Sequence, residues 1–156
     1  MTNRKVYISG EIIAEEDAKI SIFDSAVLLG DTVTESTRTF NYKPFKLKEH
    51  IDRLYKSFKL TRIDPQMTKK EMMDDSLNLL EINKNEYASN QDCWLVHNVS
   101  RGHSITGGNP TLQVTKPTVM IYTQPMNLVL WAPFYTKGCH AVIPPTRMVP
   151  SQSIDA

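Results

Sequence analysis

Two helical segments interrupt a chain otherwise cut into strand-length pieces, and that order limits the fold more than any other feature. Leu47, Ile51, Leu54 and Phe58 recur at spacings of four, three and four, which is one face of a helix. Pro65 lies beyond its end. A second helix opens at Thr68 with Glu71 three residues later, a capping-box pattern. Met72, Ser76, Leu77 and Leu80 are its expected buried stripe. Ahead of the helices, residues 6–8 and 11–13 flank Ser9-Gly10 as a hairpin would. Residues 17–22 alternate polar and apolar like a half-buried strand, and threonine-rich 32–40 reads as β. Asn41-Tyr42-Lys43-Pro44 is an expected turn, and Phe45-Lys46-Leu47 continues extended. After a polar connector at 83–90, strands are expected at 93–99, 119–123, 128–131 and 140–143. The polar stretch 102–117, with Gly107-Gly108, reads as a functional or mobile loop. Strands, two helices, then strands favour an α+β fold, an antiparallel β-sheet with two main helices on one side.

Several function classes drop out on composition. The 156 residues suit one domain, and 18 basic against 17 acidic residues leave no footprint for nucleic acid. The local excess at Lys43, Lys46, Lys48, Arg53, Lys56, Lys59 and Arg62 reads as a solvated helix face, interrupted by Glu49 and Asp52. Cys93 and Cys139 have no metal-ligand spacing, and His50, His97, His103 and His140 form no HxH or HExxH pattern, so no metal site is expected. No apolar run approaches a membrane span, and Met-Thr-Asn-Arg-Lys lacks a signal core. A cytoplasmic protein with reduced thiols is the expectation. The sequon Asn98-Val-Ser100 is read as chance.

Residues 23–35 run Phe-Asp-Ser-Ala-Val-Leu-Leu-Gly-Asp-Thr-Val-Thr-Glu, and residues 50–57 run His-Ile-Asp-Arg-Leu-Tyr-Lys-Ser. In that order they resemble the start of the class IV (fold type IV) pyridoxal-phosphate aminotransferases. Those carry an F-D-x-(G/A)-x-x-x-G-D-x-(V/I)-x-E block followed by an H-(I/L)-x-R-L-x-x-S helix. Trp94 to Gly102 resembles the family strand that ends in T-R-G. The resemblance covers the chain as the N-terminal small domain, residues 1–156. It implies that the C-terminal cofactor-binding domain is absent from the chain.

Read from spacing alone, Arg53 is a surface partner of Glu49, worth a few tenths of a kcal/mol. The resemblance instead makes Arg53 the arginine on the cofactor phosphate, a task that suits a planar guanidinium. It is then expected to share a concave surface with the strand at 94–99. His50 is expected to pack or hydrogen-bond, Glu35 to be structural, and Gly30-Asp31 to be a tight backbone position. Family members carry a second glycine and an aromatic where this chain has Thr32 and Thr34. Leu29 and Thr34 therefore imply an altered substrate pocket. Strand alternation puts Trp94, Val96 and Asn98 on one face. Val96 stands where branched-chain enzymes place a carboxylate-binding arginine. Arg101 and His103 carry the letters of the carboxylate trap of D-amino-acid enzymes.

The resemblance thus implies a transaminase moving an amino group between an amine or amino acid and a keto acid, with pyridoxal 5′-phosphate as cofactor. An (R)-amine or D-amino acid donor is favoured. An aminodeoxychorismate lyase-like enzyme, a branched-chain aminotransferase, or a non-catalytic dimerisation or binding module keeping the fold are the alternatives. No catalytic residue is assigned. The Schiff-base lysine is expected beyond Ala156, so the chain alone is expected to be inactive. A homodimer is implied, with a sizeable apolar patch where the missing domain would pack.

Overall fold

A computed structural model describes residues 3–88, 91–103 and 116–147. They fall into two compact units, the first ending at Met126 and the second starting at Asn127.

The first unit is built on a six-stranded antiparallel sheet. Strands β1 (Lys5–Ile8) and β2 (Glu11–Ala14) form a hairpin whose turn residues Ser9 and Gly10 have φ of 48° and 104°. Two positive φ values match the twist of the flanking strands. Then follow the one-turn helix α1 (Ser25–Leu29), β3 (Thr32–Phe40) and β4 (Lys43–Pro44). Two helices come next, α2 (Leu47–Thr61) and α3 (Lys69–Asn83), then β5 (Cys93–Ser100) and β6 (Thr118–Pro125). The spatial order is β2-β1-β6-β5-β3-β4. This is the expected α+β arrangement, with both long helices on one side.

Alternation along the strands decides what faces those helices. Val33, Glu35, Thr37 and Thr39 of β3 are buried, whereas Thr32, Thr34, Ser36 and Phe40 are exposed. On β5, Cys93, Leu95, His97 and Val99 meet the helices. Their partners include Ile51, Leu54 and Phe58 of α2, the stripe read from spacing. The capping box of α3 is also present. Thr68 Oγ1 accepts from the Glu71 amide at 3.2 Å, and a Glu71 carboxylate oxygen accepts from the Thr68 amide at 2.6 Å.

Five expectations need correction. Phe45 and Lys46 form a turn, with Lys46 left-handed at φ 52°, and Leu47 already starts α2, so 45–47 is not extended. Leu77 is 46% exposed, and Leu79 is buried in its place beside Met72, Ser76 and Leu80. Five residues past Met72 a side chain has turned about 140° away from it. Residues 17–22 form no strand. A 3₁₀ turn at Glu15–Asp17 leads into irregular chain. In the second unit, a 3₁₀ turn at Leu128–Leu130 and the short helix α4 (Phe134–Lys137) replace the strand expected at 128–131. Residues 140–143 are irregular. The loop reading over 102–117 falls mostly on 104–115, outside the described residues. Among the described residues no helix is long and apolar enough to cross a membrane, and no metal-binding cluster forms.

One buried amide locks the sheet to the helices. Asn83, at the end of α3, accepts from the Lys5 amide at 2.7 Å and donates to the Lys5 carbonyl at 2.8 Å and to Thr123 Oγ1 at 3.0 Å. Asn83→Ala should lower unfolding stability by about 2–4 kcal/mol, because buried partners lose their bonds. Urea denaturation with an unchanged m-value is the check.

Candidate functional site

The order of residues along β3 and α2 creates one charged cluster. Glu35 points inward from β3, and its carboxylate is 4% exposed. His50 and Arg53 lie three residues apart on α2, so both reach it. Arg53 donates from Nε to Glu35 Oε2 at 2.7 Å and from Nη2 to Oε1 at 2.6 Å. His50 Nδ1 lies 2.8 Å from Oε1, and the Ser36 amide donates to that oxygen at 3.0 Å. Burial pushes the Glu35 carboxyl up. The bonds from Arg53, His50 and the Ser36 amide outweigh it, and the group titrates at about 2.

This fork fixes the guanidinium through one edge and leaves the other free. The Arg53 side chain is 66% exposed. Its Nη1 makes no hydrogen bond to the described residues. A cavity of about 260 Å³ opens there, lined by Lys46, Glu49, His50 and Arg53. The cavity excludes the strand at 94–99, contrary to expectation. Glu35 and Thr34 are neighbours in a strand and face opposite ways, so Arg53 lies on the helix side while Thr34 lies on the outer face. Glu49 is not the partner of Arg53. Glu35 is, and sequence reasoning missed its part. The available signal was a lone glutamate in register with inward Val33 and Thr37.

Thr34, Trp94 and Val96 do share the outer face of the sheet. Trp94 is 37% exposed and Val96 is 6% exposed. Across this face Thr34 Oγ1 donates to Asn98 Oδ1 at 2.6 Å, and Asn98 Nδ2 donates to the Tyr122 hydroxyl at 3.1 Å.

A third group gathers where α1 meets the end of β5. Asp24 caps α1 and accepts from Ser100 Oγ at 2.6 Å and from Thr118 Oγ1 at 2.5 Å. Leu29 ends α1 and is 67% exposed. His103 packs against Phe23 in a tilted arrangement, with ring centroids 5.7 Å apart. Arg101 engages the protein through all three nitrogens. Nε donates to Asp31 at 2.8 Å, Nη1 to the Arg62 carbonyl at 2.8 Å, and Nη2 to the Thr61 carbonyl at 2.7 Å. It satisfies carbonyls at the C-terminus of α2, which have no partner within the helix.

Comparisons with known proteins bear on these groups together. The family model for amino-transferase class IV matches residues 32–153. A Methanocaldococcus jannaschii protein, provisionally named a branched-chain-amino-acid aminotransferase, is 40% identical over 122 residues, covering 78% of this chain and 40% of its own. The D-alanine aminotransferase of Staphylococcus epidermidis is 30% identical over 120 residues, covering 77% of this chain and 41% of its own. The branched-chain amino acid aminotransferase of Escherichia coli superposes with a TM-score of 0.67 at 25% identity, over 80% of this chain and 41% of that one. A branched-chain amino acid aminotransferase from T.th., solved with pyridoxamine 5′-phosphate, gives a TM-score of 0.67 at 24% identity, over 81% of this chain and 42% of that one. The chain thus spans about 40% of the length of the curated relatives it matches.

Proposed function

The chain belongs to the class IV aminotransferases, and on that premise we propose that residues 1–156 are the small domain of a pyridoxal-phosphate-dependent transaminase. In this reading a C-terminal cofactor domain of the intact protein supplies the lysine. The supporting observation is the Arg53 guanidinium, held along one edge by Glu35 and open along the other beside a cavity. A phosphate suits that open edge, because two N–H groups on Nη1 can meet it with charge assistance. When bound, the cofactor supplies the electron sink and carries the amino group.

The residues of this chain then have separate tasks. Glu35 orients Arg53, and His50 braces Glu35. Among the described residues β4 pairs only with Thr39 and Phe40, so β3 is the sheet edge at Thr34 and Glu35. In this reading a ligand reaching round that edge meets Arg53 on one side and, on the other, Thr34 with Trp94 and Val96 behind it as the substrate wall. Leu29 and His103, at the α1 end of the sheet, then border the substrate side, and Arg101 ties that end to α2. An amine or amino acid is the donor and a keto acid the acceptor, with a D-amino acid or (R)-amine favoured. A small, partly apolar wall without an arginine at position 96 supports this, as does the relative named a D-alanine aminotransferase. We read the intact protein as a cytoplasmic homodimer. Unpaired Cys93 and Cys139 support the compartment. Ile22, Phe23, Val27, Leu28 and Leu29, all at least 50% exposed, support an interface.

The test compares two proteins. The 156-residue chain with pyridoxal phosphate and borohydride should retain no cofactor on any lysine. The same chain joined to the C-terminal part of the Methanocaldococcus jannaschii relative should retain one cofactor per chain and transaminate D-alanine or an (R)-amine. Stoichiometric labelling of the short chain, or an inert fusion that binds no cofactor, contradicts the reading.

A further inference from the structure

The outer face of the sheet at β1 and β6 carries a trough that borders the proposed substrate wall. It shares Tyr122 with the polar row of Thr34 and Asn98 on that wall and His103 with its border, but its floor serves no role above. Its floor comes from register: Ile8 pairs with Met120 across the two strands, and Val6 and Tyr122 continue the same face. Irregular residues 18–21 stand over it as a wall. One cavity of about 650 Å³ is lined by Val6, Ile8, Ala18, Ile20, Met120 and Tyr122, among others. A second, of about 570 Å³, shares Ile8 and Ile20 with it and adds Lys19, Lys116 and His103. Each has the size of a small-molecule site.

Charge gives the trough a direction. At the far end Arg4 is closed by Glu15 in a two-bond pair of 2.9 and 2.7 Å. At the near end Lys19 and Lys116 enter no ion pair with the described residues. The acid lining that end, Asp24, is 2% exposed and already accepts from Ser100, Thr118 and the Ala26 amide. Its oxygens are turned onto those donors. Among the described residues, the lysines therefore face the cavity with no carboxylate paired to them.

We propose that this trough binds a small anionic amphiphile, a monocarboxylate whose apolar tail lies along Val6, Ile8, Met120 and Tyr122 and whose head meets Lys19 and Lys116. The carboxylate gains two cations without entering a dry interior, and the tail leaves water on an apolar floor. The site does not rest on the transaminase reading, since neither Arg53 nor Thr34, Trp94 or Val96 lines either cavity.

The test titrates the full 156-residue chain with hexanoate, hexan-1-ol, acetate and inorganic phosphate, followed by calorimetry and amide shifts. Hexanoate should bind at least tenfold more tightly than each of the others, moving the amides of Ile8, Met120 and Lys116. The double variant K19Q/K116Q should lose that preference over hexan-1-ol. Both lysines are exposed, and a melting curve verifies that the variant is folded. Acetate or phosphate matching hexanoate, an unchanged double variant, or shifts centred on Arg53 would each overturn the proposal.

Discussion

Gly102→Ala should destabilise the fold severely. Gly102 follows β5 at φ +92°, a backbone region that side chains rarely enter, and an added Cβ would sit 2.0 Å from the Lys116 carbonyl oxygen. The next atoms, Lys116 C and Pro117 Cα, would be at 3.0 and 3.3 Å, all backbone. No side chain can rotate away to relieve this. The Gly102 carbonyl also accepts from the Ser25 amide at 2.9 Å, and its amide donates to Ser100 Oγ at 3.1 Å, so the peptide cannot simply swing outward. Steric overlap and left-handed strain together should cost about 4 kcal/mol or more. In a domain of this size that lowers the melting temperature by roughly 15 °C. Differential scanning calorimetry checks it. A shift under about 3 °C would mean that the approach of Lys116 is not rigid.

The second large effect is acid lability, and it comes from two inward residues on facing strands. His97 is fully buried, with Nε2 2.7 Å from Ser76 Oγ. Burial, only partly opposed by Glu35, lowers its titration from 6.5 to about 4. The unfolded chain therefore binds a proton below pH 6.5 that the folded chain refuses. Stability must fall as pH drops from 6.5 towards 4, by about 3 kcal/mol at the lower limit. Glu35 acts in the same direction over a lower window. Its carboxyl is depressed from 4.5 to about 2, so its stabilisation is complete above 4.5 and is lost on the way to 2. Denaturant midpoints should fall steeply below pH 6. His97→Gln should flatten the fall between pH 7 and 5, while Glu35→Gln should flatten only the part below pH 4.5. If His97→Gln keeps the full slope between pH 7 and 5, the protons are taken up elsewhere.

How much of this was legible beforehand depended on whether a signal was local. The α2 stripe, the Thr68–Glu71 cap and the Ser9-Gly10 hairpin are set by residues a few positions apart, and each stands where spacing put it. That Trp94, Val96 and Asn98 share one face followed from strand alternation; that the face is the outer one did not. Leu79 was passed over for Leu77 because a stripe with few apolar residues fixes helical phase weakly. Residues 128–131 and 140–143 are short apolar runs. Periodicity cannot separate a strand from a 3₁₀ turn in so few residues. The motif marks Glu35 as structural but names no partner, and only the placement of α2 beside it reveals a buried ion pair. Arg101 bonds the carbonyl of Thr61, 40 residues away in sequence, a contact no motif encodes. The block at 23–35 and the helix at 50–57 pointed to the family correctly. They could not say that the sheet separates Arg53 from Trp94.

Arg53 as the phosphate anchor is the central proposal, and cofactor affinity of the intact protein tests it most directly. Arg53→Ala should raise the Kd for pyridoxal phosphate by about 10- to 100-fold, the worth of a charge-assisted contact. The Kd for pyridoxal, which has no phosphate, should stay within about twofold because it never used that contact. An unchanged Kd for pyridoxal phosphate, or an equal loss for both compounds, would contradict it.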